Sequence, residues 1–465
     1  MKNKKALLPA VMAGVMGITA FGFAGCGGGN VEKTNPDAFE VQIYAGGYGT
    51  KMWQYVLDLF EADHPDVEVI PYMDNNANQQ LAERWRQGDP PDFVFLDGDG
   101  LDRDGWLAND LLYDCTEWLE TAKVNGSDER IIDAVGSQFF NRHTKDDGTT
   151  ITYGLPILKG SYGVWYDNNW IEENNLTVPT NFDSLLEFGE DVRKLKADDG
   201  TTTVNALCYP GQYSGYLVQG FILPAIAAYN DDEYFNKIIT ASDPAAFVDE
   251  RTVSVVQRFI DFAKAGNVMN GTLSLSHTES QFRWLRHDAA LIPNGLWLRG
   301  ELEADVVNPD KNPDAEDATR FASVEMRFGA SPLITAEQKP TLVATTIDCG
   351  IAAQGDQIEL AKEFVTYLYR EDVAKMFALE SNSPSVIDVN FTEEDEVTDS
   401  FKYAQEILSS DDYLQVYKTG SWGAVDGEFN NIVNEIVQAA LNGGTGMSTA
   451  LEYCQRLQKV AQDQL

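Results

Sequence analysis

The chain has 465 residues, with 34 Lys and Arg against 73 Asp and Glu and a formal net charge of −39 at pH 7. A phosphate backbone demands basic side chains, so this balance excludes nucleic acid as a partner and disfavours adsorption to anionic lipid. With 43% hydrophobic and 11% aromatic residues the chain has the apolar mass to fold, and it is longer than a single core of roughly 250–300 residues accommodates.

The first element is an address. Lys2, Lys4 and Lys5 form a positive segment, and residues 6–23 are small and apolar. That is the layout of a secretory signal, predicted over residues 1–25. Phe23-Ala24-Gly25-Cys26 resembles a bacterial lipobox, with Phe where Leu is usual, and makes Cys26 the lipidated first residue. An uncleaved membrane anchor is the alternative, but the stretch is short and Gly-rich for a span. Gly27-Gly28-Gly29-Asn30 opens a flexible tether over residues 26–38. Loss of the three signal lysines takes the net charge from −39 to −42. No other segment reads as a membrane span.

A strand–helix rhythm follows. Residues 39–44 alternate as a strand, 45–49 turn, and Met52, Trp53, Val56, Leu57 and Phe60 recur at helical spacing until His64-Pro65. Val67, Val69 and Pro71 mark a second strand. Leu81 and Trp85 mark a second helix, ended by Gly88, and residues 92–96 a third, buried strand. Such alternation predicts βαβ units. Residues 154–158 lead into another strand at 163–167. Thr180 reads as the N-cap of a helix through Leu185, Leu186 and Val192, with Asp183 closing an approximate capping box. A buried strand spans 289–297, residues 308–319 read as an acidic surface loop, and two helices cover 358–369 and 372–379. Cys115, Cys208, Cys349 and Cys454 make no CxxC pair. Two disulfides or four buried thiols are open, and a core this large needs no staples, which favours thiols.

Catalytic signatures are missing. The four histidines lie far apart, and there is no HExxH, no GxSxG elbow and no Walker lysine motif. Residues 97–105 hold an acidic, Gly-rich run, but the calcium-loop register puts Gly100 and Leu111 where carboxylates belong. No metal and no cofactor are expected. What does stand out is aromatic residues beside turns that follow strands: Tyr48, Tyr162, Tyr213, Trp297 and Trp422. Asn75, Asn76, Asp97, Gln212, Asn294 and Asn382 stand near them as hydrogen-bonding partners. Ligands of open α/β sheets bind beyond the carboxyl ends of strands, and sugars want flat apolar faces plus polar side chains.

The pattern resembles the extracellular solute-binding proteins of bacterial ABC importers, in the carbohydrate-binding family of the maltodextrin-binding type. The start from Val41 to Pro71 is similar. So are Gly154-Leu155-Pro156 through Val164-Trp165-Tyr166-Asp167-Asn168, and Leu176 through Pro179-Thr180-Asn181-Phe182-Asp183. Phe282 through Ala289-Ala290-Leu291-Ile292-Pro293-Asn294-Gly295-Leu296-Trp297 has His287-Asp288 where the family has Gly-Lys, and the helix Ala361-Lys362-Glu363-Phe364 also resembles the family. The resemblance implies an α/β, two-lobed fold of the periplasmic-binding-protein type (type II), each lobe a mostly parallel sheet flanked by helices, joined by a hinge. The lobes would comprise 39–158 with 330–375, and 159–329 with 376–465, with crossings near 155–162, 328–335 and 370–385. It implies a carbohydrate ligand, an oligosaccharide above a monosaccharide, closed upon by the lobes and delivered to permease subunits. It further implies no enzymatic activity, a monomer, and a site outside the cytoplasmic membrane, held there only by the Cys26 lipid. Trp297 is the first candidate for a stacking platform and Trp422 the second. Asp97 occupies a position that bonds hydroxyls. A non-sugar solute on the same fold, or a secreted polysaccharide hydrolase, are the alternatives.

Overall fold

Ten strands joined in one sheet organise the computed structural model, which describes residues 36–465 apart from 47, 99, 146, 309, 310, 313 and 418–423. The signal, Cys26, nearly all of the tether and Trp422 lie outside the described residues. Strands β1 (Phe39–Tyr44), β2 (Val69–Asp74) and β3 (Phe93–Phe95) open the sheet, with β1 parallel to both neighbours. The crossover helix Lys51–Asp63 forms where predicted, and Met52, Trp53, Val56, Leu57 and Phe60 are all buried. The second, Ala77–Gln87, ends at Gly88, whose φ of 77° places it in the left-handed region that glycine tolerates.

The remaining strands are β4 (Asn141–Thr144), β5 (Thr150–Asp167), β6 (Asn205–Leu207), β7 (Ala289–Gly295), β8 (Met326–Gly329), β9 (Thr341–Ile351) and β10 (Leu414–Tyr417). The main order is β2-β1-β3-β9-β5-β7-β6. β5 and β9 are long because both cross the molecule. They pair antiparallel from Leu155 opposite Cys349 to Tyr162 opposite Val343. Beyond Tyr162, β5 pairs with β7 and β8. β9 begins beside β10 and ends beside β3. The two-lobed α/β architecture is as expected. The mostly parallel sheets are not: parallel pairing is confined to β2-β1-β3, β6-β7 and β9-β10, and the sheet is mixed. A chain that leaves one lobe on β5 and returns on β9 makes that central pair antiparallel.

Separate cores lie on either side of this pair. One gathers Phe39, Trp53, Phe60, Phe93, Phe364 and Phe377, and another Leu217, Phe221, Phe259, Ile432 and Leu457. A further cluster joins Trp165, Trp284, Phe328 and Leu342. Each buried large side chain contributes roughly 1.5–3 kcal/mol. Leu333 and Ile334 pack in the second core, Leu342 in the third cluster, and Phe377, Ala378, Val386 and Ile387 in the first core.

Smaller readings also change. The N-cap of helix Phe182–Val192 is Asn181, not Thr180, in a capping box with Ser184. The asparagine wins because its Oδ1 accepts from the Ser184 N–H while the Ser184 hydroxyl accepts from the Asn181 N–H. The acidic stretch 308–319 is not all loop, since helix Glu316–Ser323 begins inside it. Cys115, Cys208, Cys349 and Cys454 are free and buried.

His287 has a φ of 55°, in the left-handed region that glycine adopts most readily. Its ring stacks on Trp170 at 5.1 Å, with Nδ1 2.8 Å from Asp198 and Nε2 3.1 Å from Asp167. Burial opposes its charge, but the hydrogen bonds and charges of the two carboxylates prevail and hold it up to about 9. A raised histidine stabilises the fold fully below its unfolded value and loses that contribution as pH rises through the folded value. In denaturant titrations, wild type is therefore expected to lose roughly 3 kcal/mol relative to His287→Gln between pH 6.5 and 9.5. Parallel pH profiles for the two proteins would remove the imidazolium from the network.

Candidate functional site

The crossing point of β5 builds a cavity. Tyr162 is opposite Val343 on β9 and opposite Gly295 on β7, so its side chain stands where the three strands meet. β7 ends at Gly295, and the turn that follows carries Trp297 at the N-cap of helix Leu298–Val306. The indole folds back over Gly295, where an added Cβ would lie 2.2 Å from it. From the other lobe, the turn after β1 brings Tyr48, and the residues after β3 bring Asp97. The Leu96 N–H donates to the Asp348 carbonyl on β9, which fixes that turn to the crossing strand.

The result is a cavity of about 430 Å³ bordered by residues of both lobes. Trp297 borders it and is the ring that the other aromatic side chains contact. Tyr48 meets it at 5.4 Å and 61°, Tyr162 at 5.1 Å and 87°, and Tyr216 at 6.4 Å and 67°. These edge-to-face contacts make corners instead of parallel plates. Polar groups converge on the same space: Asp97, Arg103, Asn141, Gln219, Glu301, Thr345 and Thr346. Gln219 lies in the π-turn Val218–Ile222, and Gly220 within it approaches the Gly163 carbonyl of β5, where a Cβ would lie 2.7 Å away. That close approach lets the turn reach the cavity.

Electrostatics single out one carboxyl group and one imidazole. Glu301 accepts from Gln281 Nε2 at 2.7 Å and lies 3.3 Å from His277 Nε2. Burial pushes Glu301 up to about 8, Asp305 and Asp97 add to the rise, and the Gln281 hydrogen bond opposes it. Burial also pushes His277 down to about 4. Both are neutral at pH 6. Tyr48, Tyr162 and Tyr216 are raised by burial and then by the nearby carboxylates, so they remain phenols. Among the described residues no group of His, Cys, Asp and Glu is arranged to hold a metal ion.

Of the residues nominated from sequence, Tyr48, Asp97, Tyr162 and Trp297 come together here. Others stand elsewhere. Asn75 and Asn76 are exposed at the start of helix Ala77–Gln87. Gln212 donates to the Ser274 carbonyl, and Tyr213 is 44% exposed outside the cavity. Asn294 is fully buried and its Oδ1 accepts from the Gly295 N–H. Asn382, in the left-handed conformation, donates to the Leu296 carbonyl and accepts from Thr398 and Ser400. It braces the Trp297 turn without bordering the cavity. Tyr44, Arg103, Asn141, Tyr216, Gln219 and Glu301 escaped the sequence reading. Two of them had a signal: Glu301 is one helical turn after Trp297, and Tyr216 one turn after Tyr213.

A two-lobed α/β molecule with a cavity bordered by aromatic and polar side chains of both lobes has the architecture of a solute-binding protein. A family model of the bacterial extracellular solute-binding proteins matches residues 46–375, and the chain belongs to that family. Among relatives, the diacetylchitobiose binding protein NgcE of Streptomyces coelicolor is 21% identical over 359 residues, 75% of this chain and 69% of that one. The multiple sugar-binding protein of Streptococcus mutans is 19% identical over 362 residues, 77% of each. Among solved structures, RafE of Streptococcus pneumoniae in complex with raffinose matches with a TM-score of 0.62 at 17% identity, covering 91% of this chain and 98% of that one. A chitin oligosaccharide binding protein matches with a TM-score of 0.61 at 18% identity, covering 89% and 94%.

Gly295→Ala tests the packing of the indole. The added methyl is expected to displace Trp297 and change the near-ultraviolet circular dichroism of the folded protein. A spectrum identical to wild type would show that the ring is not held against Gly295.

Proposed function

We propose that this chain captures a carbohydrate in the Trp297 cavity and delivers it to the membrane subunits of an ABC importer. The observation that carries the reading is one indole surrounded by Tyr48, Tyr162 and Tyr216, with Asp97, Arg103, Asn141 and Glu301 around the same space. Sugars present flat C–H faces to aromatic rings and hydroxyls to carboxylates, amides and guanidinium groups. More rings border the cavity than one hexose can cover, which favours an oligosaccharide. The sugar-binding relatives support the same choice.

The mechanism needs no covalent chemistry. First-lobe groups such as Asp97 and second-lobe groups such as Trp297 reach one ligand together only when the lobes approach. The ligand thereby favours the closed arrangement by its differential contacts. The hinge comprises β5 near 158–162, β9 near 343–347 and the connection after Asn382. Cleavage before Cys26, lipidation of Cys26 and a tether to residue 38 would hold a monomer at the outer face of the cytoplasmic membrane.

Intrinsic tryptophan fluorescence tests this directly. Titration of wild type with raffinose, chitin oligosaccharides and xylo-oligosaccharides is expected to give a saturable change with at least one. Trp297→Ala is expected to weaken that ligand roughly 100-fold or more, as for a central aromatic anchor. Undiminished affinity in the variant would take Trp297 out of the site. No response to any oligosaccharide, with saturation by a non-sugar solute, would reverse the choice of ligand.

A further inference from the structure

One carboxylate outside the cavity is tied to the turn that carries an aromatic wall of it. Helix Lys51–Asp63 begins after Thr50, whose side chain makes no capping hydrogen bond. Its first N–H groups are met instead by Glu380, on helix Glu371–Ser381. Glu380 Oε1 accepts from the Thr50 N–H at 3.0 Å and the Lys51 N–H at 2.9 Å, and Oε2 accepts from the Met52 N–H at 2.6 Å. Both oxygens are engaged, and a carboxylate at a helix N-terminus is further stabilised by the helix dipole. The close approach depends on Gly49, with a φ of 84°, where an added Cβ would lie 2.3 Å from Glu380 Oε1.

Tyr48 immediately precedes that glycine. It is buried between Phe95, at 6.0 Å, and Trp297, at 5.4 Å. Its turn is held at the start by the Ala45 N–H on the Asp74 carbonyl and at the end by Glu380. Two residues beyond Glu380, Asn382 Nδ2 donates to the Leu296 carbonyl, next to Trp297. Asn382 closes the same helix in the left-handed conformation, and its N–H donates to the Ala378 and Leu379 carbonyls. One helix end thus contacts the Tyr48 turn and the Trp297 turn. We propose that Glu380 is a positioning residue of the binding site, which holds Tyr48 edge-on to Trp297 before ligand arrives. Glu380 does not border the cavity, so it acts through Tyr48 and not by contact with ligand. A ring already in place spares the ligand the cost of ordering it. The proposal rests on the carbohydrate reading of the cavity and extends it to a residue outside the lining.

The test is fluorescence titration of the full chain with raffinose, chitin oligosaccharides and xylo-oligosaccharides, continued with whichever saturates wild type. E380Q keeps the shape of the side chain but sets an amide NH2 against an N–H. It is expected to weaken that ligand roughly tenfold, as when the competent placement of Tyr48 falls to about one molecule in ten. In a Y48A background the same substitution is expected to cost nothing further. T50D separates placement from capping, because aspartate at the N-cap gives the helix an acceptor of its own. Added to E380Q, it is expected to recover the melting temperature without recovering the affinity. Wild-type affinity in E380Q, a loss that persists in Y48A, or affinity restored by T50D would each overturn the proposal and leave the carbohydrate reading standing. If none of these sugars saturates wild type, the carbohydrate reading falls and this role falls with it.

Discussion

The antiparallel ladder between β5 and β9 is the constraint on which the molecule depends. It runs from Leu155 opposite Cys349 to Tyr162 opposite Val343, and it is the place where both lobes share one sheet. Side chains alternate along a strand, so a register slip of one residue would carry Tyr162 to the opposite face. Thr345, Thr346 and Ile347 of the partner strand β9 border the same cavity. The ladder also anchors Asp97, through the Leu96 N–H on the Asp348 carbonyl.

Two contacts far apart in sequence hold the walls of the cavity. Glu380, at the end of helix Glu371–Ser381, accepts from the N–H groups of Thr50, Lys51 and Met52 at 3.0, 2.9 and 2.6 Å. No side chain of the helix Lys51–Asp63 N-cap does this, so the carboxylate is a cap supplied from elsewhere. It meets both the orphan donors and the positive end of the helix dipole. Tyr48 stands two residues before that cap. Asn382, two residues after Glu380, holds the Leu296 carbonyl next to Trp297. One short segment at the last crossing thus fixes the aromatic contribution of each lobe.

The parts of this design that follow from local rules were legible in the sequence. Alternation and helical spacing gave β1 to β3 and the helix Lys51–Asp63. The rule that ligands gather beyond strand ends picked out Tyr48, Asp97, Tyr162 and Trp297. Residues whose role depends on packing were not legible. Glu301 and Tyr216 each lie one helical turn from a nominated aromatic, but that spacing alone does not separate a cavity-facing side chain from a solvated one. Asn382 looked like a hydrogen-bond partner for a ligand and serves the backbone instead. Sequence periodicity does not mark where the continuous strand β9 changes partners, from β10 at its start to β3 at its end. Asn181 and Thr180 are both good caps, and only the geometry of Ser184 decides between them.

The net charge of −39 and the charge of the cavity act on different scales. Surface carboxylates repel one another through water and salt, which screen them over roughly 8–10 Å. They keep the protein dispersed and say little about a cleft. Glu301 is different because burial, not its neighbours on the surface, sets its state. Its folded value of about 8 lies above that of an ordinary carboxyl, so the folded protein binds a proton that the unfolded chain releases. Stability contributed at that position therefore declines as pH rises from the ordinary carboxylate range to about 8. A fold stabilised by large cores tolerates this penalty, and polar groups that cost stability while bordering a cavity are typical of binding sites. The same burial that makes Glu301 costly makes it responsive, since any bound group that stabilises its ionised form recovers part of the penalty.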